Sequence, residues 1–315
     1  MRGDDSAAGR PRLGIDLGGT KTAAVVLDGG GRVLWQQRIA TPADDYRRIV
    51  AALADLAAQA AAACGPCSVG IGTPGTLTAS GLLKNSNTVC LNGRPLRDDL
   101  SAAIGQPVRI ANDANCLALS EATDGAGAGA DVVFAAILGT GTGAGIAVGG
   151  RVLAGANGVA GEWGHNPLPW AVPGDDPLLD CYCGQRGCIE TLLSGPGLAR
   201  DHRHHGGTAL SAEQIARQAA AGDAACCASL RRHASRLARA LAGVINLLDP
   251  DVIVLAGGLS QIDSLYAEVP RLWGRWVVSG GVREPVRTRL LRSRHGDASG
   301  VRGAAWLWRD GRAYI

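Results

Sequence analysis

The chain has 315 residues, 46% of them hydrophobic, and 31 Lys and Arg against 28 Asp and Glu give a formal net charge of +3. That length can hold two domains with real cores, and so balanced a charge gives no argument for a nucleic-acid or membrane partner. Met1 to Arg10 lacks the apolar segment of a signal peptide, and no run reaches the roughly 20 apolar residues of a membrane span; unpaired cysteines without an export signal then predict a reducing cytoplasm.

Leu13 to Leu17 is a short apolar run broken by Gly18-Gly19-Thr20-Lys21. Apolar residues resume over Ala23 to Leu27 and again over Val33 to Ile39, which predicts a three-stranded meander. Tyr46, Ile49, Val50, Leu53, Leu56 and Ala60 then recur at helical spacing after Thr41-Pro42. A strand over 68–72, another over 108–111 and a helix over about 114–121 complete a βββαβαβ-like order. Gly125 to Ala130 is a small-residue linker. After it a strand over 132–138 runs into Gly139-Thr140-Gly141-Thr142-Gly143, and a further strand covers 145–148. The repetition of strand, Gly/Thr turn and strand predicts two α/β domains of related topology, one from 1–124 with 299–315 and one from 125–298. Helices over 211–220 and 224–248 follow. A buried strand over 252–256 ends in Gly257-Gly258; then come a helix near 262–276, a strand near 286–290 and a last helix from Ser299 to about Trp308.

Two motifs fail on context. Gly70-Ile71-Gly72-Thr73-Pro74-Gly75 fits GxGxxG literally, but Pro74 and the absence of a following amphipathic helix contradict a dinucleotide fold. Cys64-Gly65-Pro66-Cys67 fits a redox CxxC, yet it closes an Ala-rich helix, so Gly65-Pro66 reads as a helix stop. Arg283, Arg287, Arg289, Arg292 and Arg294 form a basic run without aromatic interleaving, the pattern of a solvated face.

Three groups of residues carry chemistry. Asp16 ends a strand ahead of backbone N–H groups freed by Gly18 and Gly19; such a turn can cradle phosphate with help from Thr20 and Lys21, and Asp16 can hold magnesium. Gly139 to Gly143 is a second turn of that kind. Asn112-Asp113 sits where a strand passes into a helix, which presents a carboxylate from a rigid edge. Finally, Cys181, Cys183 and Cys188 lie within eight residues of one another, sixteen residues after His165. Three thiolates and an imidazole fill a zinc tetrahedron and leave no open position, so the site is expected to be structural. Glu162 and Glu190 flank it, and carboxylates pinned beside such a clip suit a ligand rich in hydroxyls.

These motifs together resemble the ROK sugar kinases over nearly the whole chain. Asp16-Leu17-Gly18-Gly19-Thr20-Lys21 resembles the family's first phosphate motif and Leu138 to Gly145 the second. Asn112-Asp113 resembles its catalytic-base motif, and Gly161-Glu162-Trp163-Gly164-His165 with the three cysteines its zinc signature. The resemblance implies an actin-like ATPase (ribonuclease H-like) fold, two α/β domains around a central cleft with a zinc-clipped loop. It implies ATP with Mg²⁺ and a structural Zn²⁺, and it makes a homodimer the expected assembly. By the same resemblance Asp113 is the general base, and Gly75, Asn87, Asn112, Glu162, His165 and Glu190 hold the sugar. Gly257 and Gly258 pack near the adenosine. Asn92-Gly93-Arg94-Pro95-Leu96, Trp163 to Trp170 and His295 to Trp306 resemble the manno(fructo)kinase type within the family. The expected reaction is therefore 6-phosphorylation of fructose, with mannose second; glucokinase and the N-acetylmannosamine and N-acetylglucosamine kinases are the alternatives. Cys90, where a larger aromatic is expected, could open room in the sugar pocket. Sugar-responsive repressors of the family carry an N-terminal helix-turn-helix module, and fifteen residues before Asp16 are too few for one.

Overall fold

The computed structural model describes residues 10–175, 179–282 and 284–309. They divide into two compact units. The first takes the described residues up to Ala128, Gly145–Ala160 and those from Asp297 on; the second takes Gly129–Ala144 and Gly161–Gly296. These bounds differ from the expected segments chiefly at Gly145–Ala160. That segment packs with the first unit although it follows the second Gly/Thr turn.

The first unit opens with the meander β1 (Arg12–Leu17), β2 (Lys21–Leu27) and β3 (Val33–Ala40), followed by α1 (Tyr46–Cys64) and β4 (Ser68–Thr73). Two-residue strands β5 (Thr76–Leu77) and β6 (Leu83–Lys84) form a small antiparallel pair. Helix α2 (Leu96–Ile104), β7 (Val108–Asn112) and α3 (Asp113–Thr123) follow. The sheet order is β3-β2-β1-β4-β7, antiparallel through the meander and parallel from β1 to β4 to β7. That order is consistent with the ribonuclease H-like arrangement. Its core is built from Leu13, Ile15, Ile49, Leu53, Val69 and Ile71, all at most 1% exposed. Helix α2 is absent from the sequence reading because its apolar signal is slight: Leu96 and Leu100 alone are buried, four residues apart, while Asp98 and Asp99 fill the first turn.

Helix α9 (Ser299–Trp306) returns to this sheet, and glycines explain how it comes so near. A Cβ added at Gly14 on β1 would lie 2.1 Å from the Val301 carbonyl oxygen, and one at Gly70 on β4 would lie 1.9 Å from that of Ala304. The first glycine of the literal GxGxxG is thus spent on helix–sheet contact. Cys64 closes α1 with Gly65 as its cap, and the following Cys67 is buried with its thiol donating to the Gly65 carbonyl, in keeping with a helix stop.

The second unit contains β8 (Val132–Leu138), β11 (Val252–Ala256) and β12 (Arg289–Arg292), in parallel with β11 between the other two. Val252, Ile253, Val254 and Leu255 are wholly buried, as expected of a parallel strand covered on both faces. Strand β9 (Thr142–Val148) begins in this unit and continues into the first, where it pairs with β10 (Arg151–Val152). The helices of the second unit are α4 (Ile189–Leu193), α5 (Gly195–His204), α6 (Ala212–Ala220), α7 (Ala224–Leu248) and α8 (Ser264–Trp273). Strand β12 starts three residues later than expected, because parallel pairing begins only where Arg289 faces Val252. Arg292 in the basic run is exposed, as expected of a solvated face, and there it pairs with Asp263 and lies over the Tyr266 ring at 5.1 Å. Arg283 lies outside the described residues.

The insert between His165 and Cys181 is fastened to α7 by a buried ion cluster. Arg239 bonds Asp175 through both terminal nitrogens at 2.6 and 3.1 Å, and Arg236 joins Asp175 at 2.8 Å to Asp201 at 2.6 Å. Burial alone would raise the Asp175 carboxyl, but the two guanidinium groups and the Val172 amide outweigh it and hold the group at about 2.

Candidate active site and metal centre

In the first unit, β1 and β7, which flank β4 in the sheet, deliver the candidate residues at their C-terminal ends. Asp16 is the penultimate residue of β1, and the turn after it closes by a hydrogen bond from the Gly18 amide to the Lys21 carbonyl at 3.1 Å. Thr41 steadies that turn: its hydroxyl donates to the Gly18 carbonyl at 2.8 Å and lies 2.8 Å from the Thr22 hydroxyl. Gly19, Thr20 and Lys21 are exposed. Asn112 ends β7 and caps α3, with its side-chain oxygen accepting from the Ala114 amide at 2.9 Å. Its amide nitrogen donates to the Gly75 carbonyl at 3.1 Å, so Asn112 and Gly75 are locked together. Asp113 opens α3 and also accepts from the Ala114 amide, at 2.8 Å.

Burial first, and then the Asp113 charge, push the Asp16 carboxyl up to about 6. Two carboxylates that oppose one another's ionisation suit a divalent cation, and the hard oxygen donors are of the kind magnesium takes. Asn87 is exposed, on a segment held by Asn92, whose side chain brackets Ser86 with bonds of 2.9 Å to its amide and its carbonyl. The Cys90 thiol donates to the Ala43 carbonyl at 3.2 Å and its side chain packs on the core of the unit, while the neighbouring Val89 is 76% exposed.

In the second unit, the turn from Gly139 to Gly143 and the pair Gly257-Gly258 meet. Gly257 takes φ +81°, and a Cβ there would lie 2.6 Å from the Leu138 carbonyl at the end of β8. A cavity of about 1570 Å³ is lined by Gly139, Thr140, Gly195, Ala216, Gly258 and Leu259, among other residues of α6, α7 and α8. Thr142 is buried, and its amide is held by the side chain of Glu190. A Cβ at Gly141 would lie 2.7 Å from that same carboxylate, so a side chain there would have to displace the end of Glu190.

His165, Cys181, Cys183 and Cys188 converge, with one ligand atom from each inside a span of 4.8 Å. His165 Nδ1 lies 3.6 Å from Cys181 Sγ, and Cys183 Sγ lies 3.7 Å from Cys188 Sγ. A tetrahedral zinc with Zn–S about 2.3 Å and Zn–N about 2.05 Å spaces nitrogen and sulfur roughly 3.6 Å apart and two sulfurs roughly 3.8 Å apart. The four residues therefore fit zinc. The other ring nitrogen of His165, Nε2, lies 4.0 Å from Glu162 and 3.1 Å from the Tyr182 hydroxyl. Tyr182 is a residue that the sequence reading left without a role; the available signal was an aromatic between two expected metal ligands.

Comparison with known proteins assigns these motifs to one family. The ROK family matches residues 12–311. The chain belongs to the ROK family. It is 43% identical over 309 residues to an N-acetyl-D-glucosamine kinase of Erwinia tasmaniensis, covering 93% of this chain and 98% of that one. Among solved structures it is similar to a ROK hexokinase from Thermus thermophilus, with 34% identity, a TM-score of 0.80 and coverage of 94% and 96%. It is also similar to a ROK glucokinase from Streptomyces griseus solved with glucose and AMPPNP, with 31% identity, a TM-score of 0.73 and coverage of 94% and 98%. The Erwinia tasmaniensis relative is named for an N-acetylated sugar rather than the fructose and mannose that the motifs suggested. Of the runs behind that expectation, Trp163 to Trp170 contains the candidate metal ligand His165 and His295 to Trp306 contains helix α9, so both also serve the framework of the fold. Among the described residues no helix is long and apolar enough to cross a membrane.

Proposed function

We propose that this ROK-family chain is an ATP-dependent sugar kinase that transfers the γ-phosphoryl group to the 6-hydroxyl of N-acetyl-D-glucosamine. One observation carries the choice of sugar: the 43% identity to an N-acetyl-D-glucosamine kinase extends over 93% of the chain. Fructose and mannose have no comparable support.

Asp113 takes the proton from the 6-hydroxyl as its oxygen attacks the γ-phosphorus, and ADP leaves as the bond to the bridging oxygen breaks. Its place at the start of α3, with a carboxylate oxygen fixed by the Ala114 amide, supports that role. Asn112, Gly75, Asn87, Glu162, His165 and Glu190 hold the sugar. The turns at Gly18-Gly19-Thr20-Lys21 and at Gly139 to Gly143 hold phosphate oxygens, and Gly257 and Gly258 border the adenosine. Asp16 would hold Mg²⁺, which when bound neutralises phosphate charge. His165, Cys181, Cys183 and Cys188 would hold a structural Zn²⁺ that fixes the loop carrying Glu162 and Glu190. A homodimer and a cytoplasmic setting complete the proposal.

The test is product identification. Incubation of the chain with Mg·ATP and N-acetyl-D-glucosamine, followed by phosphorus–proton correlation NMR, should give the 6-phosphate. A product phosphorylated at the anomeric oxygen, or none, would overturn the reading.

A further inference from the structure

Tyr182 stands at the one ring nitrogen that His165 would offer a sugar. With Nδ1 turned to Cys181 at 3.6 Å, a metal-bound imidazole must carry its proton on Nε2 and act there as a donor. The Tyr182 oxygen takes that position, 3.1 Å from Nε2. The two rings meet edge to face, 5.2 Å between centroids at 87°, so the phenol is held by packing as well as by its hydrogen bond. Glu162 lies 4.0 Å from the same His165 nitrogen, so an expected sugar-binding carboxylate stands beside the phenol. Yet Tyr182 is 82% exposed, which leaves its ring face open for a ligand. An exposed aromatic fixed over a set of hydroxyl-binding groups is not explained by packing of the chain itself.

We infer that Tyr182 is a substrate-contacting specificity residue whose ring packs against the methyl of the sugar's acetamido group while the acetamido oxygen accepts from His165 Nε2. This rests on the reading of the chain as an N-acetylglucosamine kinase. The ring supplies what a bare set of carboxylates and imidazole lacks, an apolar wall for a methyl group. In the sugar-free protein the Tyr182 hydroxyl fills the acceptor position and satisfies the Nε2 proton. Sugars without an acetamido group gain nothing from the ring, so it acts on the choice between sugars rather than on the chemical step.

The test compares wild type with Tyr182→Ala and Tyr182→Phe, each checked for one zinc per chain. Dissociation constants for N-acetyl-D-glucosamine and for glucose are measured by calorimetry without ATP, beside kcat and KM for both sugars. Tyr182→Ala should weaken N-acetylglucosamine binding about tenfold and glucose binding less than threefold. Tyr182→Phe keeps the ring and should hold the ratio between the two sugars within twofold of wild type. A ratio left within twofold by Tyr182→Ala overturns the inference while the kinase reading stands. Wild-type protein that binds N-acetylglucosamine no better than glucose overturns both. Should Tyr182→Ala not fold with its metal, Tyr182→Ser carries the same comparison.

Discussion

Glu190 and Thr142 are joined by a 2.9 Å hydrogen bond from the Thr142 amide to the Glu190 carboxylate. One side chain, placed two residues after the last cysteine of the metal centre, thus fixes a backbone amide of the glycine turn expected to hold phosphate. The proposed sugar and nucleotide contacts of the second unit would therefore share a residue. Glu190→Ala should lower kcat/KM for both substrates, because the Thr142 amide loses its acceptor at a cost of about 1–3 kcal/mol. Glu190→Gln keeps an acceptor oxygen and should raise KM for the sugar while leaving KM for ATP within about threefold. Steady-state kinetics with each substrate varied in turn separates the two; equal effects of both variants on ATP would count against a shared role.

Asp113→Asn should reduce kcat by about 10² to 10⁴, the usual worth of general-base catalysis. Sugar binding measured by calorimetry should change little, since Asn112 and Gly75 remain locked by their own bond. Turnover within threefold of wild type would exclude Asp113 as the base.

Purified protein should carry one zinc per chain by elemental analysis. Removal by a strong chelator should loosen the loop that holds Glu162, His165 and Glu190, seen as a lower Tm and weaker sugar binding, with both restored by added zinc. Loss should be partial at the middle of the insert, where Asp175 stays clamped by Arg236 and Arg239. Fully active protein without zinc would contradict this.

His233 gives the acid limb of stability. It is wholly buried on α7, neither ring nitrogen has a hydrogen-bond partner, and burial followed by the nearby Arg236 charge lowers it to about 4 against the opposing pull of Asp201. The unfolded chain binds a proton near pH 6.5 and the folded one only near 4. Stability is therefore intact above about 6.5 and falls as pH drops toward 4, by on the order of 3 kcal/mol. Denaturant unfolding of wild type and His233→Leu across pH 4.5 to 7 checks it: the variant's slope over that range should be shallower. Parallel slopes would mean that His233 does not titrate in this way.

The fold was legible where apolar runs were long and bounded by glycine. Strands β1, β4, β8 and β11, and helices α1 and α7, emerge from period and turn chemistry alone. Helix α2 was hidden because two leucines carry its whole apolar face. The unit boundary around β9 and β10 was hidden because it depends on packing, which local pattern does not encode. Within the site, the cysteine spacing, Asn112-Asp113 and the two glycine turns were visible as motifs. What Tyr182 touches was not, since an aromatic in a loop has no periodicity to reveal its partner. The choice of sugar was not legible for a related reason: selectivity rests on a few side-chain contacts, whereas motifs describe the framework.

The most direct measurement is an ADP-release assay of the purified chain with N-acetyl-D-glucosamine, glucose, mannose and fructose at saturating Mg·ATP. N-acetyl-D-glucosamine should give the highest kcat/KM, at least tenfold above each of the others, a preference of about 1.4 kcal/mol in the transition state. Fructose or mannose ahead of N-acetyl-D-glucosamine by the same margin would contradict the proposed substrate, and no ADP release above background with any of the four would contradict the kinase itself.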